Sequence, residues 1–258
     1  MRDNKQLIMM FAGKKGSGKS SSGKYVFVQY VNAIAKTIRL VVNKKDEVID
    51  LSNDNCIIPI DIPFDQNTVN VSEKFGIKLY SFADPLKKFL HDVFGISLDL
   101  LYGNDVDKNT KTHVMWDNMP PNICVKYSRP KRGTSEHQPA YGAMTIRELL
   151  QVIGTDICRS LDEGCWARAL YSKIKEEKYK VAIITDARFL NEITIGSELG
   201  AKIIRLMRSP YKDNHASESS LDNIPLGEYS EIIDNTSMSI DARNQVMMKS
   251  VKIWLNEL

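Results

Sequence analysis

Short runs of consecutive apolar residues recur along the chain, and most are separated by stretches in which apolar positions return every three or four residues. Leu7–Ala12 is the first, and its unbroken apolar character is that of a strand buried on both faces. Comparable runs stand at Lys78–Phe82, Val181–Thr185, Lys202–Met207 and Ser230–Ile233. Strands alternating with helical patterns predict an α/β protein built on a doubly wound parallel sheet. Two stretches break the rhythm. Within residues 36–77, Thr37–Val42 and Glu47–Leu51 flank Asn43-Lys44-Lys45-Asp46, the pattern of an inserted β-hairpin. Residues 103–143 are polar and proline-rich, as expected of an inserted or mobile segment over one end of a sheet. The expectation is a single domain over 1–258 carrying these two insertions.

Composition narrows the class without adding a site. A length of 258 residues suits one α/β domain with insertions, and 43% hydrophobic with 26% charged residues is an ordinary globular balance. A formal charge of +3 is too small to argue for a nucleic acid polymer as partner. The four cysteines form no C-x-x-C pair, so neither a zinc site nor a redox motif is signalled, and reduced thiols are expected. The apolar run near the N-terminus is too short for a signal peptide or a membrane span, so the expected location is the cytoplasm, with no membrane partner.

The strongest chemical signal is Gly13-Lys-Lys-Gly-Ser-Gly-Lys-Ser20, which fits G-x-x-x-x-G-K-[ST] between a strand and a helix. Gly13, Gly16 and Gly18 permit positive φ and close backbone approach, so successive amides can wrap phosphates, and the following helix adds its dipole. Lys19 would reach the β- and γ-phosphates, and the Ser20 hydroxyl would ligate Mg²⁺. Gly13, Lys15, Gly16, Ser17, Gly18, Lys19 and Ser20, with Arg208 farther on, are the candidate ATP-binding set.

Three further segments carry candidate chemistry. The run Val181-Ala-Ile-Ile-Thr ends in Asp186, where a metal-associated carboxylate is expected beside such a loop. Its neighbour is Ala187 rather than a water-activating glutamate. Arg188 follows, and it suits a transferring or acceptor phosphate; the alternative is that Asp186 and Arg188 only open the helix over 188–199. Glu192 stands four residues on, either orienting the Arg188 guanidinium or facing solvent. In the second segment Asp84 and Pro85 begin a helix that Gly95 ends. Lys87 and Lys88 sit in its first turn, where the dipole disfavours cations, so Lys87 is a candidate phosphate ligand, with solvation the alternative. In the third, Thr145 and Glu148 make a capping box, and Arg147, Gln151 and Thr155 step along one polar face. An ordinary amphipathic helix accounts for that spacing equally well. Gly154 inside it signals a close approach to its backbone.

Together GKKGSGKS, FADPLKKFL, TIRELLQVIGTD, the CWARAL around Trp166, IITDARFLNEI and IIDNTS resemble, in the same order, the bacteriophage deoxynucleoside monophosphate kinases. That resemblance implies a P-loop fold of the nucleoside monophosphate kinase type. It also implies transfer of the ATP γ-phosphoryl group to a deoxynucleoside monophosphate, dependence on Mg²⁺, homodimers, and a place in the cytoplasm (the host's, for a viral protein). It places the acceptor against the segments containing Lys87, Arg147, Gln151, Thr155, Trp166 and Arg188. From the residues themselves, Gly154 and Glu192 join the candidate acceptor set, 103–143 is the candidate acceptor-side segment flanking it, and Lys19, Asp186 and Arg188 are the candidate catalytic residues. Residues 208–229, with Arg208 and His215 to Glu218, are the candidate lid, with a long surface loop the alternative. Trp166 is either a wall against the acceptor base or a core residue. A P-loop kinase of another small acceptor, such as a coenzyme precursor, and a non-kinase P-loop NTPase are the alternative functions.

Overall fold

The computed structural model describes residues 6–131, 133–210 and 220–258. They form two compact units, Met1–Phe82 with Ala167–Leu258, and Ala83–Trp166.

The first unit is built on five strands: β1 (Leu7–Gly13), β5 (Ile77–Tyr80), β10 (Val181–Ala187), β11 (Lys202–Leu206) and β12 (Glu231–Ile233). They form one sheet in the order β12-β11-β1-β10-β5, and every neighbouring pair is parallel. The five apolar runs of the sequence therefore end along one edge of a mixed α/β core. Successive side chains of a strand point to opposite faces. Leu7, Met9 and Phe11 accordingly pack with α1 (Lys19–Ile34) and the helix Ile240–Asn256. Met10 and Ala12 pack on the other face with α9 (Cys165–Glu177) and α10 (Leu190–Glu198). Helices thus cover both faces, which is why β1 and β10 read as unbroken apolar runs.

The region after α1 holds more structure than a hairpin. β2 (Leu40–Val42), β3 (Val48–Asp50) and β4 (Cys56–Ile58) make a three-stranded antiparallel sheet. The Asn43 side-chain oxygen accepts the N–H groups of Lys45 and Glu47 and so sets the β2–β3 turn. Next comes α2 (Gln66–Phe75), capped by Asp65 and closed by Gly76 at φ +66°.

The second unit packs α3 (Ala83–Phe94) and α7 (Ile146–Gln151) around a core that includes Trp116, Cys124 and Met144. Trp116 is fully buried and lies 5.0 Å from the Tyr127 ring. β6 (Lys111–Met115) pairs antiparallel with β9 (Ala143–Thr145), which leads into α7. The expected cap at Asp84 is displaced: α3 begins at Ala83, and Asp84 lies buried in its first turn, accepting the Tyr102 hydroxyl at 2.8 Å. No described helix is long and apolar enough to cross a membrane.

Gly23 lets α1 lie close on β10, since a Cβ there would stand 2.5 Å from Thr185 Cγ2 and 3.3 Å from Ile183 Cγ2. Gly23→Val should destabilise the protein by about 2 kcal/mol, because overpacking a stiff, β-branched neighbour outweighs any gain in helix propensity. A lower urea midpoint at unchanged slope would show it; an unchanged midpoint would mean that α1 can shift freely.

Candidate functional site

At the end of β1 the chain turns through Gly13–Gly18 into α1. Gly16 and Gly18 adopt φ values of +74° and +99°, open to glycine at little cost. Gly13 does not have positive φ, contrary to expectation. Its missing side chain matters because a Cβ would lie 2.3 Å from Ser17 Oγ and 3.0 Å from the Leu206 carbonyl oxygen. The Lys19 ammonium is buried and folds back over the loop, donating to the carbonyls of Gly13 at 2.5 Å and Lys14 at 2.9 Å. α1 has no side-chain cap at its N-terminus and no acidic residue in its first turn. Ser17 Oγ is buried without a hydrogen-bond partner, whereas Lys15, Gly16 and Ser20 are exposed. Uncapped amides, a glycine-lined turn and a lysine held across it suit a bound anion. The residues present therefore fit a nucleotide's phosphates.

A residue not singled out in the sequence ties this loop down. Asn235, after β12 and nearly fully buried, donates its side-chain amide to the Ser17 carbonyl at 2.9 Å and accepts the Arg208 N–H at 2.9 Å. Its place in the Ile-Ile-Asp-Asn-Thr-Ser segment was visible, but its reach across the sheet edge depends on strand order. Arg208 is exposed. Of the candidate lid, residues 211–219 lie outside the described residues. Leu221 and Ile224 pack into the core, and Asp222 pairs with Lys14 at 2.7 Å.

Asp186 lies on β10, adjacent to β1, and the register sets Ala187 opposite Ala12. Its carboxylate accepts the Ser81 hydroxyl at 2.6 Å and the Phe82 N–H at 2.8 Å, so the end of β5 fixes its orientation. Ser81 is a second contributor that the sequence left unassigned. Asp186 belongs to the strand, and the helix after it begins only at Leu190. Glu192 is 2% exposed, which excludes the solvent-facing alternative. One oxygen of its carboxylate accepts the backbone N–H groups of Arg188 at 2.8 Å and Phe189 at 3.1 Å, so it fixes the backbone that carries Arg188. Burial, with the charges of Glu192 and Asp186, pushes the Tyr171 phenol up and keeps it a donor to the Glu192 carbonyl.

The remaining candidates lie in the second unit. The Lys87 ammonium sits 3.7 Å from the centre of the Tyr102 ring, which offsets part of the cost of a cation early in a helix. The Arg147 guanidinium pairs with Asp105 at 2.6 Å, on the surface. Thr145 and Glu148 form the expected capping box, and Glu148 also binds Arg129. Past Gln151 the helix widens into a π-helical segment, Val152–Cys158, so the regular α spacing expected from Gln151 to Thr155 does not hold. Gly154 lies within it: a Cβ there would stand 2.6 Å from Leu86 Cδ2, and its carbonyl accepts the Trp166 indole N–H at 2.9 Å. Gln151, Thr155 and Trp166 are each half-buried.

Glu192→Ala removes the acceptor of two part-buried N–H groups and should cost about 2 kcal/mol, while Glu192→Gln, which keeps an acceptor, should cost roughly half as much. Chemical denaturation of both variants checks this; wild-type stability in Glu192→Ala would mean that the cap contributes nothing.

The sequence profile of the deoxynucleotide monophosphate kinase family matches residues 102–241, more than half of the chain. The chain is also similar to an Acanthamoeba polyphaga mimivirus protein named "Putative deoxynucleotide monophosphate kinase", at 27% identity over 169 residues, 59% of this chain and 72% of that protein. With the phosphate-fitting loop at the sheet edge and a carboxylate one strand away, the chain belongs to the deoxynucleotide monophosphate kinase family.

Proposed function

We propose that the chain transfers the γ-phosphoryl group of ATP to a deoxynucleoside 5′-monophosphate, giving the diphosphate and ADP, on a P-loop fold of the nucleoside monophosphate kinase type. The observation that carries this reading is the uncapped N-terminus of α1 behind a glycine turn, with Lys19 held across it and Asp186 one strand away. Lys19 and the amides of residues 16–20 hold the phosphates, and Arg208 contributes from the neighbouring strand end. Ser20 and Asp186 would hold Mg²⁺, which would supply charge neutralisation on the phosphate oxygens. Arg188, its backbone fixed by Glu192, draws charge from the transferring phosphoryl group. The acceptor phosphate is already an anionic nucleophile, so its attack needs no strong base.

The acceptor is assigned to Lys87, Arg147, Gln151, Thr155 and Trp166, with Gly154 shaping the backbone beside them. Exposed ion pairs such as Arg147–Asp105 contribute only about 0–1 kcal/mol, so Arg147 can exchange Asp105 for a phosphate or base at little cost. The Trp166 N–H is engaged by Gly154, which steadies the indole so that a ring face can take a base. A homodimer belongs to the same proposal.

Purified protein with ATP, Mg²⁺ and a panel of nucleoside monophosphates tests the reading. ADP should form only when a deoxynucleoside monophosphate is present, and ADP formed with no acceptor would sink the kinase assignment. Lys19→Ala should lose most turnover, roughly a hundredfold or more, while keeping its fold. Arg188→Ala should lower kcat more than it alters ATP affinity. Trp166→Phe should raise the acceptor KM, and acceptor binding should quench Trp166 fluorescence; normal KM with a markedly lower Tm would make Trp166 a packing residue only.

A further inference from the structure

Arg243 stands in the first turn of the helix Ile240–Asn256 and is 4% exposed. Its guanidinium reaches the phosphate loop: Nη1 lies 3.4 Å from the Gly18 carbonyl and 3.5 Å from Ser21 Oγ. Nε and Nη2 donate to Asn244 Oδ1 at 3.3 and 2.8 Å. Every one of these acceptors is neutral, and among the described residues no carboxylate lies within ion-pairing distance. Asp46 is the anion that acts on it, but from farther off, and Lys24 already stands 3.7 Å from that carboxylate.

Three effects therefore oppose this charge. Burial takes it out of water, and it is the main reason that the Arg243 pKa is lowered. Arg208 repels it from the same region. The N-terminal end of α1 carries the same sign through its dipole. An anion on the amides of α1 would relieve all three together, whereas a purely structural contact would relieve none. The approach is close as well. A Cβ at Gly18 would lie 2.1 Å from Arg243 Nη1, so the guanidinium rests in the space that Gly18 leaves open, while the φ of +99° is what requires glycine before Lys19.

We infer that Arg243 is a positioning residue for the bound nucleotide's phosphates, a buried charge with no ion-pair partner among the described residues, acting through Gly18 and Ser21. The inference rests on the reading of residues 13–20 as a nucleotide-phosphate site.

The test uses full-length wild type, Arg243→Met and Arg243→Lys, with ADP as the probe, and reads Tm with and without ADP, ADP affinity by calorimetry, and both KM values. Arg243→Met should melt at or above the wild-type Tm without nucleotide, because it removes an unpaired buried charge. Its ADP Kd and ATP KM should each rise roughly tenfold or more, the loss expected of a charge-assisted contact, while the acceptor KM stays within about twofold. Arg243→Lys should fall between the two. Arg243→Met that melts several degrees lower yet binds ADP as wild type does would overturn the inference, as would a failure to fold, since either makes the arginine a structural pin. Wild type that shows no ADP binding would instead bring down the phosphate-site reading itself.

Discussion

The tight approach of backbone around Gly13 is the constraint on which the rest of the first unit depends. β1 is the central strand, and it must end without a side chain because the Leu206 carbonyl of β11 and the Ser17 hydroxyl occupy the space that a Cβ would take. With β1 fixed there, the turn into α1 leaves its first amides without a side-chain cap. Every other part of the edge then acts as a brace. Asn235 holds the Ser17 carbonyl from beyond β12, and Ser81 with the Phe82 N–H holds Asp186 from the end of β5. Contacts from both sides of β1 thus fix Ser17 in the loop and Asp186 beside it.

What the sequence made legible follows from the length scale of each signal. β1 and β10 were readable because burial on both faces leaves nearly unbroken apolar runs, whereas the edge strand β12, with Ile232 exposed, was marked only by a short Ile pair. The capping box at Thr145 and Glu148 was readable because both partners lie within four residues. Structure hidden in polar stretches was not. α2 has buried residues at only Thr68, Val71 and Ser72, two of them polar, so its inward face has almost no hydrophobic period to detect. Trp116 and Cys124 pack a core from a segment rich in proline and charge, where each buried position stands alone among exposed ones.

The same reasoning separates the parts of the candidate site. Residues 13–20 were legible because the chemistry sits in contiguous backbone. Asp186 was legible as an acid ending an apolar run. Ser81, Asn235 and Arg243 were not, because each acts on residues roughly a hundred positions away or more, and nothing local marks them. Glu192 is a different case. Its spacing from Arg188 suggests a residue that orients the guanidinium or faces solvent, and the structure buries it with its carboxylate on the backbone N–H groups of Arg188 and Phe189. An i, i+4 spacing does not convey such a backbone contact, since guanidinium and backbone partners both place the glutamate over the preceding turn.

The π-helical segment after α7 joins local irregularity to the candidate acceptor residues. A regular α-helix through Gly154 would carry Gln151 and Thr155 at fixed spacing, and that regularity is given up over Val152–Cys158. Such widened turns are rare and persist only where surrounding contacts hold them. Here the contacts are specific: Leu86 fills the place of a side chain at Gly154, and the Trp166 indole binds the Gly154 carbonyl. Asp156 is also held, by the Tyr127 hydroxyl and by Lys126. Gly154, whose place inside a helix signals a close approach to its backbone, is thus the point where the helix is opened and pinned from two sides. Gln151 stands just before the change in pitch and Thr155 within it, so their relative placement is set by tertiary contacts that no helical period in the sequence could convey.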